Sequence, residues 1–241
     1  MKKIDKGNLS MRVYASIRDS LMNGEYRPGE RLRIGQLAET LDVSITPVRE
    51  AIFRLVSEQA LEMKAATAVH VPILSPETMT EVQLMRTQLE GACAAEAARK
   101  ATEAEIDRLE EIHRSFASAV TTDPLQAVRD NRDFHFALHA AGRMPLVLSA
   151  VSNLWAMMGP LMPVFHETVP RRDLIGDNHR HVEVLRALRA RDPEGTRRAI
   201  QADIAWGNLM IEWLAKTRAS LAANASVESS ARSPALTLED I

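Results

Sequence analysis

Ile34-Gly-Gln-Leu-Ala-Glu-Thr-Leu-Asp-Val-Ser-Ile-Thr-Pro-Val-Arg-Glu-Ala-Ile-Phe-Arg-Leu55 is the stretch that decides the fold of this chain. Leu37, Ala38 and Leu41 lay an apolar stripe along one short helix, and Asp42-Val43 supplies a turn. Ser44 stands where a second helix needs a cap, and Val48, Ile52, Phe53 and Leu55 read as that helix's buried face. Pro47 fits a first helical turn, where its missing N–H has no partner to lose. Thr46 and Arg49 are left facing outward. Two short helices at a sharp turn, the second opening with hydroxyls and a cation, suit a helix-turn-helix. There the start of the second helix enters the major groove of DNA, where an Arg can pair bidentately with guanine. A generic apolar helix pair accounts for Leu37 and Val48 but not for the ordered run of turn, cap and outward Arg.

The composition is that of a globular protein: 241 residues, 46% apolar and 26% charged, enough for one large or two ordinary domains. No run of about 18 apolar residues exists, and the start, Met-Lys-Lys-Ile-Asp-Lys-Gly-Asn, lacks the apolar core of a signal peptide. The one cysteine, Cys93, has no internal disulfide partner and lies in an Ala-rich helical stretch, so it reads as a small buried apolar residue. These features point to a reducing, cytoplasmic setting and no membrane. The net charge of −2 gives no overall attraction to polyanions, so any attraction to DNA must come from a local face.

After the turn, a β pair around 61–65 and 68–72 reads as a wing, and everything beyond it is helical. The helices are expected at about 11–22, 34–41, 45–59, 76–100, 103–120, 124–141, 145–166, 171–191 and 193–219. Their starts are marked by Ser75-Pro76-Glu77, by the capping box Thr102-Glu-Ala-Glu105, and by Asp123-Pro124 and Asp192-Pro193. Gly142 ends one helix and Pro145 begins the next. The fold class is therefore mainly α. A winged helix-turn-helix domain at 10–73 precedes an all-α bundle at 76–219, and 220–241, without a periodic apolar face, is expected as a disordered tail.

Residues 10–75 resemble the winged helix-turn-helix of the GntR superfamily of bacterial transcription regulators. The likeness is carried by Ile17-x3-Leu21-x2-Gly24, Arg27-Pro-Gly-Glu-Arg-Leu32, Leu37-Ala38-Glu39, Val43-Ser44 and Thr46-Pro-Val-Arg-Glu-Ala51. In the second domain, Arg86-x2-Leu-Glu90-x2-Cys-Ala-Ala, Asn131-x2-Phe-His135-x2-Leu138 and His181-x2-Val-Leu-x-Ala-Leu-x3-Asp192 resemble the FCD effector domain of the FadR-type branch. The resemblance covers about residues 10–218. It implies a dimeric regulator, mostly a repressor in this branch, that binds a double-stranded DNA operator and is controlled by a small carboxylic acid held in the bundle, often through a divalent metal.

The DNA contacts it implies are Arg31, Arg33, Ser44, Thr46, Arg49 and Lys64. Ile45 stands where the family usually has a basic residue, and Thr67-Ala68 where it usually has Arg-Gly at the wing tip. Residues 1–75 carry eleven basic and nine acidic side chains, a net of +2. That is a thin footprint for a nucleic-acid binder and predicts weaker or more salt-sensitive binding than is usual.

Asn131 and His135, four apart, share a helix face about 6 Å apart along the axis, close enough to meet on one ion. Imidazole suits Zn, Ni and related ions. By resemblance His181 and Asp203 complete the set, with Asp203 where the family usually has His; a carboxylate there favours a harder or less selective ion of the Zn, Ni or Mn type. Arg86 has two readings, an i,i+4 salt bridge to Glu90 or, by resemblance, a fork onto the effector's carboxylate. His139 lies one turn beyond His135 and His179 two residues before His181, so either could line the cavity; His70, His113 and His166 read as ordinary structural histidines. The Met-rich stretch Trp155–Met162 reads as core first and ligand wall second. Two rival functions remain beside the regulator: a metal-dependent helical-bundle enzyme, and a dimeric DNA-binding protein without a ligand. The first leaves the groove-reading helix unexplained and has no obvious general base.

Overall fold

The computed structural model describes residues 7–64, 68–168 and 179–231. Residues 65–67, which include the wing-tip Thr67, the beginning of the helix expected from 171, and residues 232–241 lie outside the described residues.

The N-terminal domain is α1 (Gly7–Met22), β1 (Arg31–Leu32), α2 (Ile34–Thr40), α3 (Ile45–Ser57), β2 (Glu62–Lys64) and β3 (Ala68–His70). The three strands form an antiparallel sheet in the order β1-β3-β2, with Leu32 and Met63 both opposite Val69. The wing is where the sequence placed it, and β1 is an addition that the two-residue strand gave no signal for. The α2–α3 turn closes through Val43 N donating to Ala38 O at 3.0 Å, with Asp42 at φ 51°, a left-handed position that Asp tolerates. Two details of α3 differ from expectation. Ser44 sits at the N-cap in extended geometry but makes no side-chain cap bond. Phe53 is exposed, because Val48, Ala51, Ile52 and Leu55 already fill the face toward α1, and Phe53 falls on the opposite arc.

The bundle comprises α4 (Pro76–Lys100), α5 (Glu103–Thr122), α6 (Pro124–Ala141), α7 (Pro145–Met158), α8 (Leu161–Thr168), α9 (Arg180–Arg189), α10 (Pro193–Ile204) and α11 (Gly207–Ala231). The cap signals act as read: Ser75 Oγ accepts from Thr78 N at 3.1 Å, Thr102 and Glu105 close a reciprocal capping box, and Asp123 and Asp192 each accept first-turn N–H groups. The helix expected over 145–166 is broken at Gly159-Pro160, since proline lacks the N–H needed to continue the ladder. The helix expected over 193–219 is broken at Ala205-Trp206, where the backbone tightens into i+3 bonds and Gly207 lies against the Gln83 side chain. The tail expected from 220 is helical through Ala231; alanine-rich sequence sustains a helix without an apolar face.

Helix α7 joins the two domains. Its Val151, Trp155 and Ala156 share one buried core with Ile17, Leu21 and Met22 of α1. At Gly159 the chain presses on the end of α1 so closely that an added Cβ would meet Leu21 O and lie 2.7 Å from Met22 Cα. Arg27 and Glu167 add an exposed ion pair at 2.9 Å across the same junction.

Candidate functional site

The first candidate face is the exposed side of α3. With Pro47, Val48, Ala51, Ile52 and Leu55 turned into the core, Ile45, Thr46 and Arg49 are left on the solvent side, and Ser44 just ahead of the helix is exposed too. Arg31 and Arg33 flank the buried Leu32 of β1 and are exposed. Lys64, at the end of β2, is exposed and ion-paired to Glu62 at 2.8 Å. All six expected DNA contacts therefore present their side chains to solvent on the N-terminal domain.

The second candidate site is a buried polar cluster where α4, α6, α7, α9 and α10 meet. Glu90 of α4 is fully buried, and its two oxygens are shared out. Oε1 accepts from Arg86 Nε at 2.6 Å and from Trp155 Nε1 at 3.0 Å; Oε2 lies 2.8 Å from His135 Nδ1. His135 Nε2 lies 3.0 Å from Asp203 Oδ2 on α10. The imidazole of His135 thus bridges two carboxylates. His139 Nε2 comes 3.2 Å from Glu90 Oε2 without hydrogen-bond geometry. Arg86 also places its guanidinium 4.4 Å from the centre of the Trp155 ring and Nη1 3.1 Å from Met158 Sδ.

His181, on α9, is fully buried and stacked on Phe134 with ring centres 3.8 Å apart. Among the described residues, neither of its ring nitrogens has a hydrogen-bond partner. A buried polar atom left so costs free energy unless something else satisfies it. His179 caps α9: its Nδ1 accepts from His181 N at 3.2 Å, which places the His179 proton on Nε2. His113 rings with Phe116, His179 and His181 in an aromatic cluster on the same side.

Burial and charge set the protonation here. Burial disfavours the charge on Glu90, but Arg86, His139 and His135 outweigh it and hold the carboxyl well below its usual range. For His135, burial pulls down while bonds to Asp203 and Glu90 pull up more strongly, to about 9. Asp203 is lowered, its burial outweighed by His135 and His181. Burial holds His181 well below its usual value, and also lowers His139 and His179, so all three favour the neutral, ligating form. Cys93 is pushed up to about 11 by burial and by Glu90, as an inert core thiol would be.

His135, His181 and Asp203, three of the four expected ligands, offer ligand atoms within 4.8 Å of one another. Asn131 is half-buried one turn before His135, and among the described residues no hydrogen bond ties its side chain to the cluster. Arg86 turns inward, but its Nε is committed to Glu90. The i,i+4 salt bridge expected of that pair is therefore formed in the core and not on a surface. His139 is buried beside Glu90, within the cluster Glu90, His135 and His139, whose ligand atoms also lie within 4.8 Å. Two residues named in the sequence only as a salt-bridge partner and as part of an apolar stretch are central here, Glu90 and Trp155. Glu90 had a further signal, an acid flanked by Leu89, Gly91, Cys93, Ala94 and Ala95; Trp155 was placed in the core with the Met-rich stretch, but nothing marked its N–H as a partner for Glu90.

Comparison with known proteins bears on both sites. Residues 81–205 match the FCD domain family, and residues 9–71 match the bacterial regulatory proteins of the gntR family. The HTH-type transcriptional regulator McbR of Escherichia coli K12 is 32% identical over 210 residues, covering 87% of this chain and 95% of that protein. The Uxu operon transcriptional regulator of the same organism is 28% identical and covers 78% of this chain and 80% of its own length. Among solved structures, E. coli McbR/YncC superposes with a TM-score of 0.78 at 30% identity, covering 85% of this chain and 97% of that one.

Proposed function

We propose, for a chain that belongs to the gntR family of bacterial regulatory proteins and carries its FCD domain, that a small carboxylic acid bound in the bundle controls DNA binding, with a divalent ion as its anchor. The chain is an HTH-type transcriptional regulator and not an enzyme. The reading of the site rests on one observation, the buried His181 whose two ring nitrogens have no partner among the described residues, beside His135 and Asp203.

The donor set fits an ion. Two imidazoles and a carboxylate suit Zn, Ni or Mn. His135, His181 and Asp203 would hold it, with Asn131 as a fourth donor, and the ion would supply a Lewis-acid seat for one oxygen of the effector. Glu90 supports this set from behind: it accepts the Nδ1–H of His135, the outer-sphere arrangement that fixes a ligating histidine, and Nε2, which faces Asp203, is the nitrogen that would give up its proton to an ion. Arg86, buried beside this set, supplies the positive charge that an anionic effector needs, and His139 lies next to it against Glu90. Release from DNA on effector binding makes the protein a repressor, since only a ligand that prefers one arrangement of bundle and DNA domain can shift DNA affinity.

A homodimer reading a two-fold operator in the cytoplasm completes the reading. Exposed Leu84 and Met85 on α4 and Trp206 and Leu209 beside the start of α11 support a dimer contact on the bundle. Among the described residues, no helix is long and apolar enough to cross a membrane.

Titration of chelator-stripped protein with Zn2+, Ni2+ and Mn2+ tests the site. Saturable binding of one ion per chain that is lost in His181→Ala, and weaker operator binding when a panel of small carboxylic acids is added to the loaded protein, are expected. Failure of all three ions to bind removes the metal anchor; no response to any acid removes the effector reading.

A further inference from the structure

Ile45, the first residue of α3, is 50% exposed, whereas Val48 and Ile52 on the same helix are buried. We propose that Ile45 is a specificity-determining residue that reads the 5-methyl group of thymine in the major groove. This rests on the DNA-binding function and goes beyond it by naming a base and the group that recognises it.

A single exposed aliphatic residue is ordinary on a protein surface. What separates Ile45 is its place. It opens the helix whose N-terminal residues enter the groove, directly after an exposed Ser44 whose hydroxyl is not spent on capping. It shares a helix face, four residues apart, with the exposed Arg49, so whatever Arg49 approaches, Ile45 approaches one turn earlier. Phe53 continues the same stripe two turns on, too far along the helix to follow it into the groove.

The chemistry of the groove then selects the partner. Base edges there present N7, O6 and O4 acceptors, N4 and N6 amino donors, and one apolar group, the thymine methyl. Isoleucine set against a polar edge strips its water and returns no hydrogen bond, which costs free energy. Set against the methyl, it buries apolar surface on both sides. Preference for thymine therefore comes both from attraction to the methyl and from exclusion elsewhere. As a β-branched residue in a helix, Ile45 is held near one χ1 rotamer, so binding freezes little further side-chain freedom.

The test uses the full-length chain to select binding duplexes from a randomised pool. Each thymine of the selected site is then replaced by deoxyuridine, which lacks only the methyl. The wild-type chain is expected to lose affinity roughly fourfold at a defined thymine, the value of one buried methyl-sized group. Ile45→Ala abolishes that difference at the same thymine, Ile45→Val keeps most of it, and Ile45→Arg tightens binding to thymine and uracil duplexes alike. Arg49→Ala weakens both duplexes equally and leaves the ratio intact. Equal affinity for thymine and uracil at every position, or a ratio unchanged in Ile45→Ala, overturns the proposal. A pool from which no duplex is enriched removes the DNA-binding premise, and the inference falls with it.

Discussion

Trp155 Nε1 donates to Glu90 Oε1 across 3.0 Å, and this makes one indole the shared wall of the histidine cluster and of the core beneath the DNA-reading domain. One edge of the ring meets the carboxylate that orients His135, and its centre lies 4.4 Å from the Arg86 guanidinium. The same side chain packs in the core with Ile17, Leu21 and Met22 of α1. A change of charge at the cluster is therefore felt by a residue that helps set where α1 sits. Coupling of this kind needs a contiguous packed element with two arrangements, and α7 with its break at Gly159 is the element in place to supply it.

Trp155→Phe keeps an aromatic ring and removes the N–H. Glu90, fully buried, loses one donor, a cost of about 1–3 kcal/mol. In a chain of this size that lowers Tm by roughly 2–4 °C per kcal/mol. The variant is expected to stay folded by far-UV circular dichroism, to bind zinc, and to show a smaller effect of bound ligand on operator affinity by fluorescence anisotropy. An unchanged ligand response would place the coupling outside α7.

Glu90→Gln removes the negative charge that Arg86 and His135 both face. Breaking a buried pair leaves an uncompensated cation, which costs about 3–5 kcal/mol. Urea unfolding is expected to report a loss of that order. Arg86→Met combined with Glu90→Gln should lose less than Glu90→Gln alone, because no unpaired guanidinium is then left in the core. A double variant as unstable as the single one would show that Arg86 holds the fold through packing instead of charge.

The junction makes a sharper prediction. Gly159→Ala drives a methyl into the backbone of Leu21 and Met22, which cannot swing aside as a long side chain would. Overpacking of about 1–3 kcal/mol is expected, with α1 displaced and the α7–α8 corner cut faster by protease. Gly35→Ala is the control: nothing lies within 4 Å of its added Cβ, and α2 should gain about 0.5–1 kcal/mol of helix stability. Equal effects of the two substitutions would mean that the close approach at Gly159 is not what holds the domains together.

The helix starts were legible from sequence because capping is local chemistry: Ser75, Thr102, Asp123 and Asp192 each satisfy N–H groups no more than three residues away. The meeting of His135 with His181 is not local in this sense, since they come from α6 and α9, and only the resemblance to the FCD domain pointed to it. Glu90 was not legible as the hub, because an Arg and a Glu four apart read alike on a surface and in a core. What buries this pair arrives from 45 residues away with His135 and 65 away with Trp155. Phe53 failed for a related reason. Hydrophobicity placed it inside, but the arc of α3 facing α1 was already filled by Val48, Ala51, Ile52 and Leu55, and a helix has only one buried face here.

Arg49 is the cation best placed to contact DNA directly, exposed in the second turn of α3, with Thr46 one turn before it and no ion pair to it among the described residues. Arg49→Ala is expected to cost about 1–3 kcal/mol of operator affinity if it reads a base. The two roles open to Arg49 separate by salt. If Arg49 pairs with a base edge, its removal relaxes sequence preference at one position and leaves the slope of log K against log salt nearly unchanged. If it pairs with a phosphate, its removal weakens all duplexes alike and reduces that slope by about one. Anisotropy titrations of selected and scrambled duplexes at several salt concentrations distinguish the two. A folded Arg49→Ala protein with wild-type affinity and slope would show that α3 is not inserted in the groove by its N-terminal end.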